Sequence, residues 1–449
     1  MSIHQVFAAL QLPVPAHCSD DKLNSFQIDS RLVVAGDVFV ALPGAHCDGH
    51  DFLESAVESG AKLLIVEHAL AQNFSIPVIQ VDDGIRALAK LARYQRSHCR
   101  AKIIGITGSV GKTTAKDFLM QMFADSQYSV YASPKSYNSE IGLPLAMLGA
   151  PRDADFVILE YGINEPGEME YLLSVVKPDM AALVAIGAAH LEGLGCIKTI
   201  AHEKNMLLRA VPPSGAVWLD EHCHRLIPVE QRRWLSEVNL FSHSNYSYHF
   251  DNESFLVEHP LLHQLRVNCI AEHELKTAML MAEIAISCNV DHQVIVRALS
   301  KLEKPLGRMQ QVQLSAVNFI DDAYNANPVS MLAALRTLSQ LPCSGKRIAV
   351  LGSMLELGEQ QDELHRQIGR TLDEFSFDHV LCVGKLAAII STSAPEHANV
   401  HCVDNCSDAA KYLLEICSAN DLVLLKASRG DQLERVLGTF EKLYSNPVS

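Results

Sequence analysis

The stretch that most constrains this chain is Lys102-Ile-Ile-Gly-Ile-Thr-Gly-Ser-Val-Gly-Lys-Thr-Thr-Ala-Lys116. The apolar run Ile103 to Ile106 reads as a buried strand. A glycine turn, Lys112 and two threonines follow, and a helix is expected to begin near Thr113. Strand, glycine loop and helix in that order form a cradle for phosphate: backbone N–H groups can approach at Gly108 and Gly111. The helix N-terminus adds a partial positive charge and Lys112 a whole one. The Thr113 hydroxyl is placed to reach Mg²⁺. The common spacing G-x-x-x-x-G-K-[ST] would put glycine at position 106, where Ile106 stands. The loop is therefore the tighter form T-G-x-x-G-K-T-T, and a glycine turn with a chance lysine is the alternative to it.

A chain of 449 residues exceeds one ordinary core and implies two or three domains. With 48% hydrophobic and 20% charged residues it is a folded globular protein rather than a disordered one. A net charge of −15 argues against nonspecific nucleic-acid binding, so anionic ligands need local cations such as Lys112. The twelve cysteines are scattered without a C-x-x-C pair, and Met1-Ser-Ile-His-Gln lacks a basic leader region. A cytosolic protein with mostly reduced core cysteines is expected. No apolar run is long enough to span a membrane.

Three units are expected, all α/β. Residues 1–98 form a small module, in which Phe26 to Arg31 and Gly36 to Gly44 alternate like short strands. There Asp48 to Asp51 opens a helix with Phe52, Ala56 and Val57 on one face. Residues 99–312 carry the phosphate loop and a mainly parallel sheet. Within it, Asp155 to Glu160 is a strand ending on a carboxylate beside the loop, a position suited to Mg²⁺, although an acid in solvent is the alternative. The segment Trp218 to Leu262 has no clear pattern; His222 and His224 lack further ligands at zinc spacing and read as polar surface. Residues 313–449 form a Rossmann-like domain with strands Asn318 to Asp322, Arg347 to Leu351, His379 to Val383 and Asp421 to Lys426. No G-x-G-x-x-G occurs there, so no dinucleotide is assigned.

Taken together, Thr107 to Thr114, Tyr137 to Pro144, Glu160 to Glu168 and Ala189 to Glu192 resemble the Mur ligases, ATP-dependent amide-forming enzymes of peptidoglycan precursor synthesis. Asp321-Asp-Ala-Tyr-Asn-Ala-Asn-Pro-Val-Ser-Met331, Gly352 to Gly358, Lys426 to Arg429 and Asp29-Ser-Arg31 extend the resemblance over all three units. It implies that UDP-N-acetylmuramoyl-tripeptide and D-alanyl-D-alanine are the partners, joined through an acyl phosphate. Lys112 is then catalytic, and Thr107, Gly108, Ser109, Val110, Gly111, Thr113 and Thr114 hold ATP. Thr113 and Glu160 would ligate Mg²⁺, His190 a second Mg²⁺, and Lys204 would match the lysine carbamylated in the family. From sequence alone Lys204 is an exposed helix lysine and His190 a structural histidine; only the resemblance reverses that. By the same likeness Arg308 reaches the γ-phosphate, Asp321 and Asn325 contact the nucleotide, and Ser30 and Arg31 hold the UDP-sugar. Asn138, Ser428 and Arg429 fall at substrate-binding positions, the third unit receiving the dipeptide, and the protein is expected to be a cytoplasmic monomer.

There are departures from the family pattern. Met206 replaces a glutamate, Ala427 a glycine, and His273-Glu-Leu-Lys-Thr277 lacks both asparagines of a helix start that usually contacts adenine. A folylpolyglutamate-synthase-like ligase and a nucleotide-binding protein without ligase activity are the other readings. Asp29 to Arg31 and the Asp321 run weigh against the first, and intact Lys112, Glu160, His190 and Lys204 against the second.

Overall fold

The computed structural model describes residues 1–16, 18–44, 47–70, 73–228, 239–241 and 245–445. The first unit is a four-stranded sheet, β1 (Phe26–Gln27), β2 (Val38–Val40), β3 (Leu63–Val66) and β4 (Val78–Gln80), every neighbour parallel. Alternation is expected over Gly36 to Gly44, yet β2 is buried at every position, as is β3. The reason is that both faces are covered, as parallel sheets require. Val38, Val40, Leu63 and Ile65 pack with the helices Ile3–Leu10 and Gly84–Ser97, whereas Phe39 and Leu64 pack with Leu53 and Ala56. Asp29-Ser-Arg31 enters a 3-10 turn, Ser30–Leu32, capped by the Asp29 carboxylate. Phe52 does not share the buried face with Ala56; it ends a 3-10 turn, Gly49–Phe52, and is 41% exposed.

The central unit has six parallel strands: β5 (Lys102–Thr107), β6 (Val130–Ala132), β7 (Phe156–Glu160), β8 (Met180–Leu183), β9 (Ala216–Asp220) and β10 (Asn239–Phe241). Their order is β10-β9-β8-β5-β7-β6. The chain winds outward from β5 in both directions, to β7 on one side and β8 on the other. That switch point opens a crevice at the C-terminal ends of the strands, where the glycine loop lies. Alternate β5 residues feed two cores, Ile103 into one and Ile104 with Ile106 into the other. The helix Lys112–Ala124 contributes Phe118, Leu119 and Met122 to the second. The segment without a clear pattern holds a small antiparallel sheet, β11 (Ser247–Phe250), β12 (Phe255–His259) and β13 (His263–Val267); its residues 229–238 and 242–244 lie outside those described.

The third unit is a six-stranded sheet ordered β14-β15-β19-β16-β17-β18. The expected strands are present as β15 (Val317–Asp322), β16 (Arg347–Leu351), β17 (His379–Val383) and β19 (Leu422–Lys426). Two edge strands are additional: β14 (Gln310–Leu314), the one antiparallel member, and β18 (Val400–Val403). Because β14 pairs along its whole length with β15, Val312 sits inside this sheet rather than at a boundary.

Candidate active site

Gly111 sits at φ +81°, a conformation that suits glycine, and an added Cβ would lie 3.1 Å from Val184 Cγ1. The helix that follows begins without a side-chain cap, so its first N–H groups remain available to an anion. Ser109 pins the loop: its hydroxyl donates to the Gly187 carbonyl at 2.9 Å and accepts from the Gly187 N–H at 3.0 Å. The Lys112 ammonium donates to the Gly108 carbonyl at 2.8 Å. Burial pulls its pKa down to about 8 against the attraction of Glu160, so it is a cation waiting for a counter-charge.

Glu160 ends β7 fully buried. One carboxylate oxygen accepts from the Thr113 hydroxyl at 3.1 Å and from Asn138 at 3.4 Å. The other lacks a hydrogen bond and faces the Lys116 ammonium at 3.3 Å. Lys116 was not anticipated; its signal was the spacing of four from Lys112, one helical turn on. A buried carboxylate with one oxygen outside any hydrogen bond, beside a threonine hydroxyl, is a donor set that suits Mg²⁺. Among the described residues no group of three His, Cys, Asp or Glu could hold a metal ion. Phosphate oxygens and water would therefore complete the shell.

His190 stands in the left-handed region at φ 52°, ahead of the short helix Leu191–Leu194. Its Nδ1 lies 2.5 Å from Glu356 Oε2 of the third unit, and this contact, with burial opposing it, holds the Glu356 carboxyl below its ordinary value. Lys204, on the helix Ile197–Arg209, is only 1% exposed and its ammonium has no hydrogen-bond partner. Desolvation drives its pKa well below the ordinary lysine value, nearby Lys112 adds repulsion, and Glu203 opposes both. The exposed-lysine alternative is thereby removed, because the helix buries this face.

A cavity of about 1220 Å³ lies between the central and third units. Ser109, Val110, Gly111, Lys112, Thr113 and Thr114 line it, with Asn138, His190, Arg308 and Asn325. Other expected residues do not. The Thr107 hydroxyl is spent inside the sheet on the Tyr161 carbonyl at 2.8 Å, and Gly108 meets the Lys112 ammonium through its carbonyl without joining the lining. Glu160 and Lys204 lie beneath the lining. Asp321 accepts from the Ala323 N–H at 3.1 Å, and burial raises its pKa. Its neighbour Asp322 faces the cavity instead, paired with Lys426 at 2.7 Å; successive strand residues point to opposite sides.

The first unit contributes nothing to this lining. Ser30 is buried in its turn, and Arg31 projects into solvent against Asp29 at 2.7 Å. Ser428 is buried, donating to the Ala326 carbonyl at 3.1 Å, and Arg429 pairs with Glu434 at 2.8 Å on the surface.

Several contacts around the boundary between the units were not anticipated. The Arg308 guanidinium carbon lies 4.4 Å from the Tyr324 ring centre, and Tyr324 Oη is 2.9 Å from Ser136 Oγ, itself 3.2 Å from Thr113 Oγ1. The third unit thus touches the helix start of the phosphate loop through one hydroxyl. Beside the loop, His273 and Thr277 line the cavity. Glu274, where the pattern departs, also lines the cavity, but its carboxylate is engaged: it accepts from the Ile270 and Ala271 N–H groups at 3.3 Å and pairs with Lys304 at 3.2 Å. His222 is exposed, as a polar surface residue should be, and it also belongs to the lining of the cavity.

A phosphate loop at the switch point of one parallel sheet, closed by a second α/β unit, marks an ATP-dependent ligase. Three successive matches span the chain: "Mur ligase family, catalytic domain" over residues 22–96, "Mur ligase middle domain" over 106–282 and "Mur ligase, glutamate ligase domain" over 307–429. A UDP-N-acetylmuramoyl-tripeptide–D-alanyl-D-alanine ligase of Mycobacterium bovis is 32% identical over 91% of this chain and 90% of that protein. The chain belongs to the Mur ligase family. A ligase of the same name from Bacillus subtilis is 29% identical over 94% of this chain and 93% of its own. The crystal structure of a MurF ligase from Thermotoga maritima in complex with ADP superimposes with a TM-score of 0.82 at 28% identity, covering 96% of this chain and 100% of that one. ATP is accordingly the nucleotide of this site.

Proposed function

We propose that this chain joins D-alanyl-D-alanine to UDP-N-acetylmuramoyl-tripeptide, with cleavage of ATP to ADP and phosphate, in peptidoglycan precursor synthesis. The observation that carries the reading is one cavity faced by Lys112 and Thr113 from the loop and by Arg308 and Asn325 from the third unit. A carboxylate cannot expel hydroxide to an amine at useful rates, so it must first become an acyl phosphate. Its oxygen attacks the γ-phosphorus and ADP leaves; the dipeptide amine then attacks the acyl carbon, loses a proton, and phosphate departs.

Two anions must meet in the first step, so the work is positioning and charge neutralisation. Lys112 and the loop N–H groups hold the β- and γ-phosphates, and Arg308, kept flat by Tyr324, reaches the γ-phosphate. Asn325 reaches the nucleotide from the third unit. Mg²⁺, held by Thr113 and Glu160, with a second ion at His190, would supply further neutralisation of the phosphates and the carboxylate. The Lys204 amine, buried without a hydrogen-bond partner and held well below the ordinary lysine pKa, suits carbamylation by CO₂. The resulting anion would convert the repulsion from Lys112 into attraction and help hold the second ion. Ser30 and Arg31 bind the UDP-sugar, Asn138 orients the substrate beside Glu160, and Ser428 and Arg429 receive the dipeptide, the third unit moving to bring them in. The protein acts as a cytoplasmic monomer.

The test is a coupled assay. Phosphate release is expected only with ATP, UDP-N-acetylmuramoyl-tripeptide and D-alanyl-D-alanine together, with one amide formed per phosphate. Phosphate without amide, or no turnover with all three present, refutes the reading.

A further inference from the structure

On the third unit, β18 is the edge strand and β17 its parallel neighbour. The register sets Cys382 directly against Cys402. Adjacent strands lie about 4.8 Å apart, inside the range of roughly 4.4–6.8 Å between Cα atoms that a disulfide bridges. The side chains share a face. Val380 and Cys382 belong to the core that includes Ala387 and Ile390, with Val400 packed against it, whereas Leu381 and Val383 point into the opposite core. The two residues differ in access, Cys402 being exposed and Cys382 fully buried.

We propose that Cys382 and Cys402 form a reversible oxidation site, in which Cys402 reacts first and Cys382 resolves it into an intramolecular disulfide. The surroundings divide the labour. The neighbouring Cys382 thiol is the largest influence favouring a Cys402 thiolate, burial opposes it, and Ser391 and His401 add to it. Cys402 is thereby held at a pKa of about 6, and its partner is pushed well above the ordinary thiol value by Cys402 beside it and by burial. An exposed thiolate beside a protected thiol is the arrangement of a redox-responsive pair.

The oxidant is a small-molecule disulfide such as oxidised glutathione. The Cys402 thiolate attacks one of its sulfurs, forming a mixed disulfide and expelling one thiolate. Cys382 then gives up its proton and attacks Cys402 Sγ, expelling the second. Two electrons pass from the protein to the reagent, and the cysteine proton leaves on a released thiol. Neither cysteine lines the ligase cavity.

The experiment treats the intact protein with oxidised glutathione, blocks remaining thiols and maps the peptides by mass. A Cys382–Cys402 linked peptide reversed by dithiothreitol is expected, with Cys402 alkylated at least tenfold faster than exposed Cys47 before oxidation. Cys382→Ser should accumulate the glutathione adduct on Cys402, and Cys402→Ser should form neither species while keeping ligase turnover. A glutathione adduct persisting on Cys402 of the unsubstituted protein, or Cys402 labelling no faster than Cys47, overturns the proposal. Should Cys382→Ser fail to fold, the Cys402→Ser arm and the unsubstituted protein decide alone.

Discussion

Nucleotide binding should be coupled to proton uptake by Lys112, in an amount set by how far burial lowers its pKa. Burial lowers the pKa of this ammonium to about 8, Glu160 and Glu356 opposing the shift and Arg308 adding to it. Phosphate oxygens entering the loop favour the charged form and carry the pKa back up. The bound state therefore holds more protons than the free state over the window between the two values. Henderson–Hasselbalch arithmetic gives an uptake of about 0.1 proton per nucleotide near pH 7, about 0.5 near pH 8 and about 0.9 near pH 9. The sign follows: affinity weakens as pH rises through about 8 and approaches a tenfold loss per unit above it. Calorimetric titration with Mg²⁺–ADP in two buffers of different ionisation enthalpy reads the proton count directly. Lys112→Met should abolish the buffer dependence. Equal heats in both buffers near pH 8, or uptake that survives Lys112→Met, would refute the assignment of this lysine to the phosphates.

Two further outcomes are expected. A Cβ at Gly187 would lie 2.5 Å from Val329 Cγ2 across the cavity, so Gly187→Ala should hold the third unit away and cut turnover roughly 10- to 100-fold, with recovery in the Gly187→Ala/Val329→Ala double variant; no recovery would show that the clash is not the cause. Turnover should fall in CO₂-depleted buffer and return with bicarbonate, and Lys204→Met should be slow in both; activity indifferent to bicarbonate in the unsubstituted protein sinks the carbamate.

The sequence yielded features whose cause is local. Lys102 to Lys116 had to be strand, turn and helix, because an apolar run, a glycine that tolerates positive φ and a cap-free helix start lie within fifteen residues. The three α/β units and the principal strands of the third were legible for the same reason. The edge strands β14 and β18 were not, since their burial is partial and their pattern accordingly weak. Phe52 escaped because helix periodicity was projected through a turn that does not continue it.

Long-range placement is a different kind of information. Which of Asp321 and Asp322 meets the cavity depends on the face that β15 turns inward, and composition is equal at both positions. The partners Tyr324–Ser136 and His190–Glu356 are each separated by well over a hundred residues, so no local rule pairs them. Lys204 shows the division best. Its spacing in the helix is ordinary, and only the packing of that helix against the sheet removes water from its ammonium. What the sequence by itself determined was a polyphosphate cradle, because hydrogen bonding and backbone freedom there act over a few residues. What the tertiary structure decided was which charges are desolvated and which meet across the cavity, because solvation and Coulomb energy depend on neighbours in space.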